Sequence, residues 1–143
     1  MQTSIKICGI TRLHDAEAAV KLGAQYLGLI FVRHSARSID IDTARKISNS
    51  LKDRVKIVGV FQNSIKHEME EIASWVGLDY FQLHGNESVS LCASLSKPVI
   101  KAFQIVNNMQ SDGSCINLNF GSFRQQSLAV LDKYRSACEY FLF

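Results

Sequence analysis

The sequence has 143 residues, which is enough for one domain with a sizeable core, and its 47% hydrophobic and 20% charged residues are typical of a globular protein. The net charge of +3 is compatible with an anionic small-molecule partner, and no basic run with interleaved aromatic residues indicates nucleic acid. No apolar run approaches the ~20 residues of a membrane span. We therefore expect a single domain over residues 1–143 with neither a nucleic-acid nor a membrane partner.

Short apolar runs alternate along the chain with amphipathic segments. The runs that predict strands are 4–8, 26–32, 55–61, 79–83, 98–103 and 138–143. Five segments predict helices. The first covers about 14–22, the second begins near Asp42, the third has Ser64 as its N-cap, the fourth begins at Asn86, and the last covers about 123–136. Strands that alternate with helices pair in parallel. The polar stretch 104–121 predicts a long loop or an insertion.

Two architectures fit this alternation, an open doubly wound sheet and a (β/α)8 barrel. Polar residues inside the strands help to separate them, because side chains alternate along a strand. Lys6 and Cys8 then share one face, as do Gln82 and His84, and Lys101 is a third polar residue in a strand. A barrel gathers such residues near its C-terminal mouth, whereas an open sheet buries them against helices without partners. The polar residues fit a barrel, here of about five βα units and a sixth strand, better than an open sheet, and in a barrel Gln82 and Lys101 would be polar groups of its interior.

The spacing of the four cysteines argues against two kinds of cysteine site. They are Cys8, Cys92, Cys115 and Cys138. No two form a C-x-x-C pair, which argues against a zinc site and a thioredoxin-type site. The segment "MQTSIKICG" lacks the charged start and long apolar stretch of a signal peptide, so we expect a cytoplasmic protein with reduced thiols. Cys92 has helical spacing with apolar residues and is predicted to lie in the core.

Six segments of this sequence resemble the phosphoribosylanthranilate isomerase family of tryptophan biosynthesis. They are "KICGIT", "DAEAAVKLGAQYLGLIF", "SARSI", "VGVFQN", "LDYFQLHGNE" and "KPVIKAF", in the order found in the family. The resemblance implies a (β/α)8 barrel and an Amadori rearrangement that converts N-(5-phosphoribosyl)anthranilate to 1-(2-carboxyphenylamino)-1-deoxyribulose 5-phosphate. It implies no redox cofactor and no metal.

The resemblance also assigns roles to individual residues. Cys8 matches the base that removes a proton from the sugar carbon, and Arg37 matches the arginine that holds the anthranilate carboxylate. The family's usual proline beside that arginine is Ala36 here. His84 ends the fourth strand, and we expect it to bind substrate at the mouth, with its chemical role open.

Lys6 offers a reason why Cys8 would act as a base. A cysteine of ordinary pKa, about 8.5, is only a few per cent thiolate at neutral pH, and nearby positive charge raises that fraction. Lys6 lies one pleat away, at ~6–7 Å along the strand. Its alternative role is to pair with a buried carboxylate.

The family places its general acid, an aspartate, directly after the sixth strand, and its phosphate-binding loops on the seventh and eighth strands. The sequence printed here ends at Phe143 and has no G-G-T-G-like segment. We therefore expect part of a longer protein, a chain that pairs with another copy or partner to complete its sheet, or a fragment without activity. Two further alternatives are another phosphate-binding barrel and a thiol redox protein, which would need a second cysteine near Cys8.

Overall fold

The computed structural model describes residues 3–103 and 131–142, which contain six strands. The strands are β1 (Lys6–Cys8), β2 (Tyr26–Ile30), β3 (Lys56–Phe61), β4 (Tyr80–Leu83), β5 (Val99–Ala102) and β6 (Tyr140–Leu142). Each one lies within a run that predicted a strand. The predicted loop or insertion at 104–121 and most of the predicted last helix lie outside the described residues, although residues 131–134 are helical.

Every strand pairs in parallel with the next strand along the chain. The sheet order is β1-β2-β3-β4-β5-β6. A doubly wound sheet reverses its strand order at a switch point, and this sheet does not. The architecture is therefore of the (β/α) barrel type, as predicted, and it is incomplete within the described residues because only six barrel strands are present.

Four helices connect the first five strands. They are α1 (Leu13–Lys21), α2 (Ile41–Ser50), α3 (Lys66–Val76) and α4 (Val89–Ser94). Asp40 caps α2 by accepting a hydrogen bond from the Thr43 N–H at 2.8 Å. Gly77 ends α3 in the left-handed conformation, with φ of 77°, as its position after the apolar stripe predicted. None of the helices in the described part of the chain is long and apolar enough to cross a membrane.

Two predicted helix starts were wrong. Ile65, without a side-chain hydrogen bond, is the N-cap of α3, so Ser64 lies one residue too early to cap it. The fourth helix begins at Val89 with Ser88 as its N-cap, and not at Asn86. The backbone N–H of Asn86 instead donates a hydrogen bond to Asn63 Oδ1 at 2.7 Å, which keeps this residue in the loop.

The two faces of the sheet have different roles. The face toward the helices carries the main core, whose fully buried side chains include Leu27, Phe61, Phe81 and Leu83 packed with Ile47 and Met69 of the helices. The opposite face is the barrel interior. Strand alternation and register place Lys6, Cys8, Gly28, Val58, Gln82 and Ile100 on this interior face.

Lys101 does not lie in the interior, so its predicted place was wrong. It pairs in register with Leu83, whose side chain belongs to the core on the helix-facing side, whereas Gln82 pairs with Ile100. The side chain is 3% exposed and contacts Glu87 of the β4–α4 loop. The Glu87 carboxylate offsets the cost of burying the ammonium group, so a lysine in a strand need not face the barrel interior. Cys92 is buried in the core, as predicted.

Candidate active site

Cys8 and Lys6 approach each other on the interior face of the barrel. Glycine at position 28 of the neighbouring strand makes the room, because an added Cβ would lie 2.7 Å from Cys8 Sγ and 3.0 Å from Lys6 Nζ. The sulfur and the ammonium group can therefore be no further apart than these two distances combined. The thiol is partly exposed at the C-terminal end of β1, where barrel enzymes bind their substrates.

Arg37 lies beside Cys8, although it comes from the loop between β2 and α2. Its Nη1 donates a hydrogen bond to the Cys8 carbonyl at 3.0 Å. The arginine side chain covers Gly9, where an added Cβ would meet Nη1 at 2.6 Å, and Gly9 has a left-handed φ of 86°. Glycine at this position thus allows both the sharp turn after β1 and the close approach of the guanidinium. The structure therefore places the Arg37 guanidinium against the backbone of the residue that carries the thiol, at the mouth of the barrel.

His84 lies at the same end of the sheet as Cys8 and Arg37, on a strand further along the barrel wall. It follows β4, its side chain is exposed, and its backbone N–H donates to the Phe61 carbonyl at 2.9 Å. Three strand spacings separate β1 from β4, which is about 14 Å along the sheet and less across the mouth because a barrel sheet curves. A ligand that contacts Arg37 and Cys8 at one side could therefore reach His84 at the other.

Gln82 lies below His84 on the interior face and is 2% exposed. Its Oε1 has no hydrogen-bond partner among the residues that the structure describes. The prediction that Gln82 is an interior polar group of the barrel is confirmed by its register between Val60 and Ile100.

A buried ion pair lies behind the site, on the helix-facing side of β5. Lys101 Nζ is 3.1 Å from Glu87 Oε2. Burial alone would raise the pKa of the Glu87 carboxyl, but the N–H groups of Asn63 and of Glu87 itself, with Lys101, outweigh burial and hold that pKa below its usual value. Glu87 is therefore a carboxylate at neutral pH.

The other two described cysteines lie away from Cys8. Cys92 and Cys138 contact each other on the helix side of the sheet, and burial raises the pKa of both thiols, that of Cys138 to about 12. Both are thus protonated at neutral pH. The second cysteine that a thiol redox site would need beside Cys8 is not found in the described ranges. No group of three or more metal-binding side chains is found there either.

A cavity of about 650 Å³ lies beside the start of α2 and along α3, and residues that follow β2 and β3 form part of its wall. Its walls include His34, Ile65 and Trp75, and it contains none of the three predicted site residues.

Residues 5–134 match the family model of N-(5'-phosphoribosyl)anthranilate (PRA) isomerase. The chain belongs to this family. The N-(5'-phosphoribosyl)anthranilate isomerase of Pseudomonas fluorescens strain Pf-5 is 38% identical over 129 residues, which are 90% of this chain and 59% of that relative. The curated relatives are longer, and this chain covers as little as 48% of their length.

Two solved structures of the PRA isomerase family resemble the fold of this chain. One has a ligand bound, and the other is a monomeric form of a dimeric enzyme. One is a phosphoribosyl anthranilate isomerase in complex with reduced 1-(o-carboxyphenylamino)-1-deoxyribulose 5-phosphate, with a TM-score of 0.76 and 31% identity over 98% of this chain and 74% of that one. The other consists of monomers generated from the dimeric enzyme of Thermotoga maritima, with a TM-score of 0.71 and 41% identity over 74% of this chain and 55% of that one.

Sequence reasoning missed Glu87 and left Asn63 without a role. A signal was present, because a lysine inside the apolar run "VIKAF" requires a buried partner. The acidic residue of "HGNE", directly after the fourth strand, was a candidate for that partner.

Proposed function

We propose that this chain carries the base half of a phosphoribosylanthranilate isomerase site. The reaction is the Amadori rearrangement of N-(5'-phosphoribosyl)anthranilate to 1-(2-carboxyphenylamino)-1-deoxyribulose 5-phosphate, in tryptophan biosynthesis. The observation that carries the proposal is the contact of Arg37 with the Cys8 carbonyl at the C-terminal mouth. The known complex of a family member with a reduced carboxyphenylamino sugar phosphate supports the substrate class.

In this mechanism the Cys8 thiolate removes the proton from the sugar carbon next to the anomeric carbon. Arg37 binds the anthranilate carboxylate, because a guanidinium group can donate two parallel hydrogen bonds to a planar carboxylate. His84 contacts the substrate from the other side of the mouth. The Lys6 ammonium group, which shares the space beside Gly28 with the sulfur, stabilises the thiolate.

The reaction also needs an acid that protonates the ring oxygen and a group that binds the phosphate. We assign neither role to a described residue of this chain. Since the curated relatives are longer, a second candidate is a chain that binds substrate or a partner chain without turnover. We further propose residues 1–143 as one barrel domain with a loop or insertion at 104–121, a cytoplasmic location, an anionic small-molecule substrate, no nucleic-acid partner, and a homo-oligomer like the dimeric relative.

Turnover of N-(5'-phosphoribosyl)anthranilate by the purified chain tests the proposal. We expect Cys8→Ser to abolish turnover and Cys138→Ser, the matched change on the helix side of the sheet, to retain it. Turnover that survives Cys8→Ser would contradict the role of Cys8. Substrate binding without turnover in the unaltered chain would favour the second candidate.

Lys6→Met tests the source of the thiolate. We expect iodoacetamide to alkylate Cys8 more slowly in this variant than in the unaltered chain at neutral pH. Peptide mass spectrometry measures the rate. Lys56→Met removes an exposed ammonium from β3 and serves as the control. Equal alkylation of Cys8 in the Lys6→Met variant and the unaltered chain would remove Lys6 from the mechanism.

A further inference from the structure

The Glu87–Lys101 ion pair lies directly behind the turn that presents His84. Both side chains are almost fully buried, with 1% and 3% of their surfaces exposed. Removing an ion pair from water has a large cost, and an apolar pair of similar volume often stabilises a fold equally well. Stability alone is therefore a weak reason for charges at this place, and their remaining contacts indicate another.

Glu87 gathers backbone N–H groups from two loops. One carboxylate oxygen accepts a hydrogen bond from the Asn63 N–H at 2.8 Å, and both oxygens accept from the Gly85 N–H, at 3.1 and 2.9 Å. Asn63, with a left-handed φ of 53°, accepts in turn from the Asn86 N–H. The loops after β3 and β4 are thus joined through one carboxylate.

Lys101 holds the same turn through its carbonyl groups. Its Nζ donates to the Gly85 carbonyl at 2.8 Å and to the Leu83 carbonyl at 3.3 Å. These carbonyls belong to the residues before and after His84, and the Gly85 N–H is bound to Glu87. The backbone on both sides of His84 is therefore fixed by the ion pair, while the imidazole stays exposed to a ligand.

We propose that Glu87 and Lys101 are positioning residues that fix the His84 imidazole at the barrel mouth for substrate binding. This inference rests on the proposed function for the substrate, whereas the effect on His84 itself can be observed without any substrate. A hydrogen-bonded support behind a binding residue keeps its side chain in the productive orientation.

The variants Glu87→Gln and Lys101→Met test the inference. Asp79→Asn is the matched control, because the Asp79 carboxylate also accepts hydrogen bonds from a lysine and from a backbone N–H. The donors are Lys56 Nζ at 2.8 Å and the Ile57 N–H at 2.9 Å. That bridge lies at the opposite ends of the strands. Asn63→Gly removes the side chain that accepts the hydrogen bond from the Asn86 N–H and lies beside Gly85, and it leaves both charged groups in place. It is included in case the buried variants do not fold.

The first measurement is the NMR signal of the His84 imidazole together with hydrogen exchange at the Gly85 amide. We expect averaged imidazole signals and faster Gly85 exchange in the Glu87, Lys101 and Asn63 variants, and unchanged values in Asp79→Asn. Unchanged imidazole signals in the folded variants would overturn the inference. Equal changes in the control would overturn it too, since the effect would then be general loosening.

The second measurement is steady-state turnover or, without turnover, the affinity for the reduced product analogue. We expect KM or Kd to rise about tenfold or more in the Glu87 and Lys101 variants, with a smaller change in kcat, because a displaced binding group weakens ligand contacts. An unchanged KM or Kd beside disordered imidazole signals would overturn the link to substrate. If the unaltered chain neither binds nor converts substrate, the proposed function fails, and the imidazole signals still decide whether the pair positions His84.

Discussion

Replacement of Gly28 by alanine should impair the chemistry of Cys8 without changing any proposed site residue. The added Cβ would lie 2.7 Å from Cys8 Sγ and 3.1 Å from the Cys8 Cα, where ordinary contact begins at 3.4 Å. The Cα belongs to the backbone and cannot rotate away, so the end of β1 must move by about 0.3 Å and the sulfur by about 0.7 Å to reach ordinary contact. A misplacement of about 1 Å can lower a reaction rate about 100-fold, which equals about 2.7 kcal/mol of transition-state stabilisation.

The same substitution adds volume to a packed site and should cost about 1–3 kcal/mol of folding stability. Gly59→Ala separates the two effects. Gly59 lies on β3, and its added Cβ would point to the helix-facing side and meet Leu78 and Phe61. The substitution therefore overpacks the core and does not touch Cys8. We expect both variants to unfold at lower urea concentration, and only Gly28→Ala to lose turnover in the folded protein.

Two assays apply, steady-state kinetics with N-(5'-phosphoribosyl)anthranilate and the rate at which iodoacetamide alkylates Cys8. The second needs no turnover and reports the altered environment of the sulfur directly. The reasoning would be refuted if Gly28→Ala retained the kinetics and alkylation rate of the unaltered chain. It would also be refuted if Gly59→Ala slowed both to the same extent at equal folded fraction.

Three further predictions concern binding, pH and the core. Arg37→Lys should raise KM about tenfold with little change in kcat, because lysine cannot form the paired hydrogen bonds to a carboxylate. Arg33→Lys is the control, because Arg33 is an exposed arginine of the same loop, and a similar KM effect there would contradict the assignment. Since the folded-state pKa of Glu87 is below the ordinary 4.5, its stabilisation should be complete above pH 4.5 and lost as the pH falls through the folded-state value. Urea unfolding of Glu87→Gln at several pH values should therefore show a weaker loss of stability in acid, and an unchanged acid dependence would contradict this account. Phe81→Ala should lower the free energy of unfolding by about 3–5 kcal/mol, because Phe81 is fully buried, and a loss below about 1 kcal/mol would show that the site is less well packed.

The order of strands and helices could be predicted from the sequence because it follows from local patterns. Apolar runs of strand length and amphipathic segments between them each reflect which side chains must be buried, and this information lies within a few residues. Gly77, with its left-handed φ, is such a local signal for the end of α3. The start of α4 was missed because the residues before it make bonds to a distant loop, at Asn63.

The candidate site was predictable only in part, for a physical reason. Alternation along β1 was enough to place Lys6 and Cys8 on one face, and the structure confirms that both reach Gly28. The side of the sheet on which Lys101 lies depends instead on the register of β4 and β5, which no local pattern reveals. The contact between Arg37 and Cys8 joins residues 29 positions apart through the shape of a loop, and the resemblance to a family indicated a role for that arginine without indicating this contact.

The strictly sequential pairing of the six strands has a consequence for biosynthesis. Each of the strands β2 to β6 pairs with the strand that is synthesised just before it. Each of them therefore has a pairing partner as soon as it has been made. Contacts between neighbouring units keep loop-closure entropy low, and chains emerge from the ribosome at about 5–20 residues per second. The sheet can therefore assemble one unit at a time during translation, and Cys8 and Arg37, both contributed by the first two units, can meet well before His84 has been synthesised.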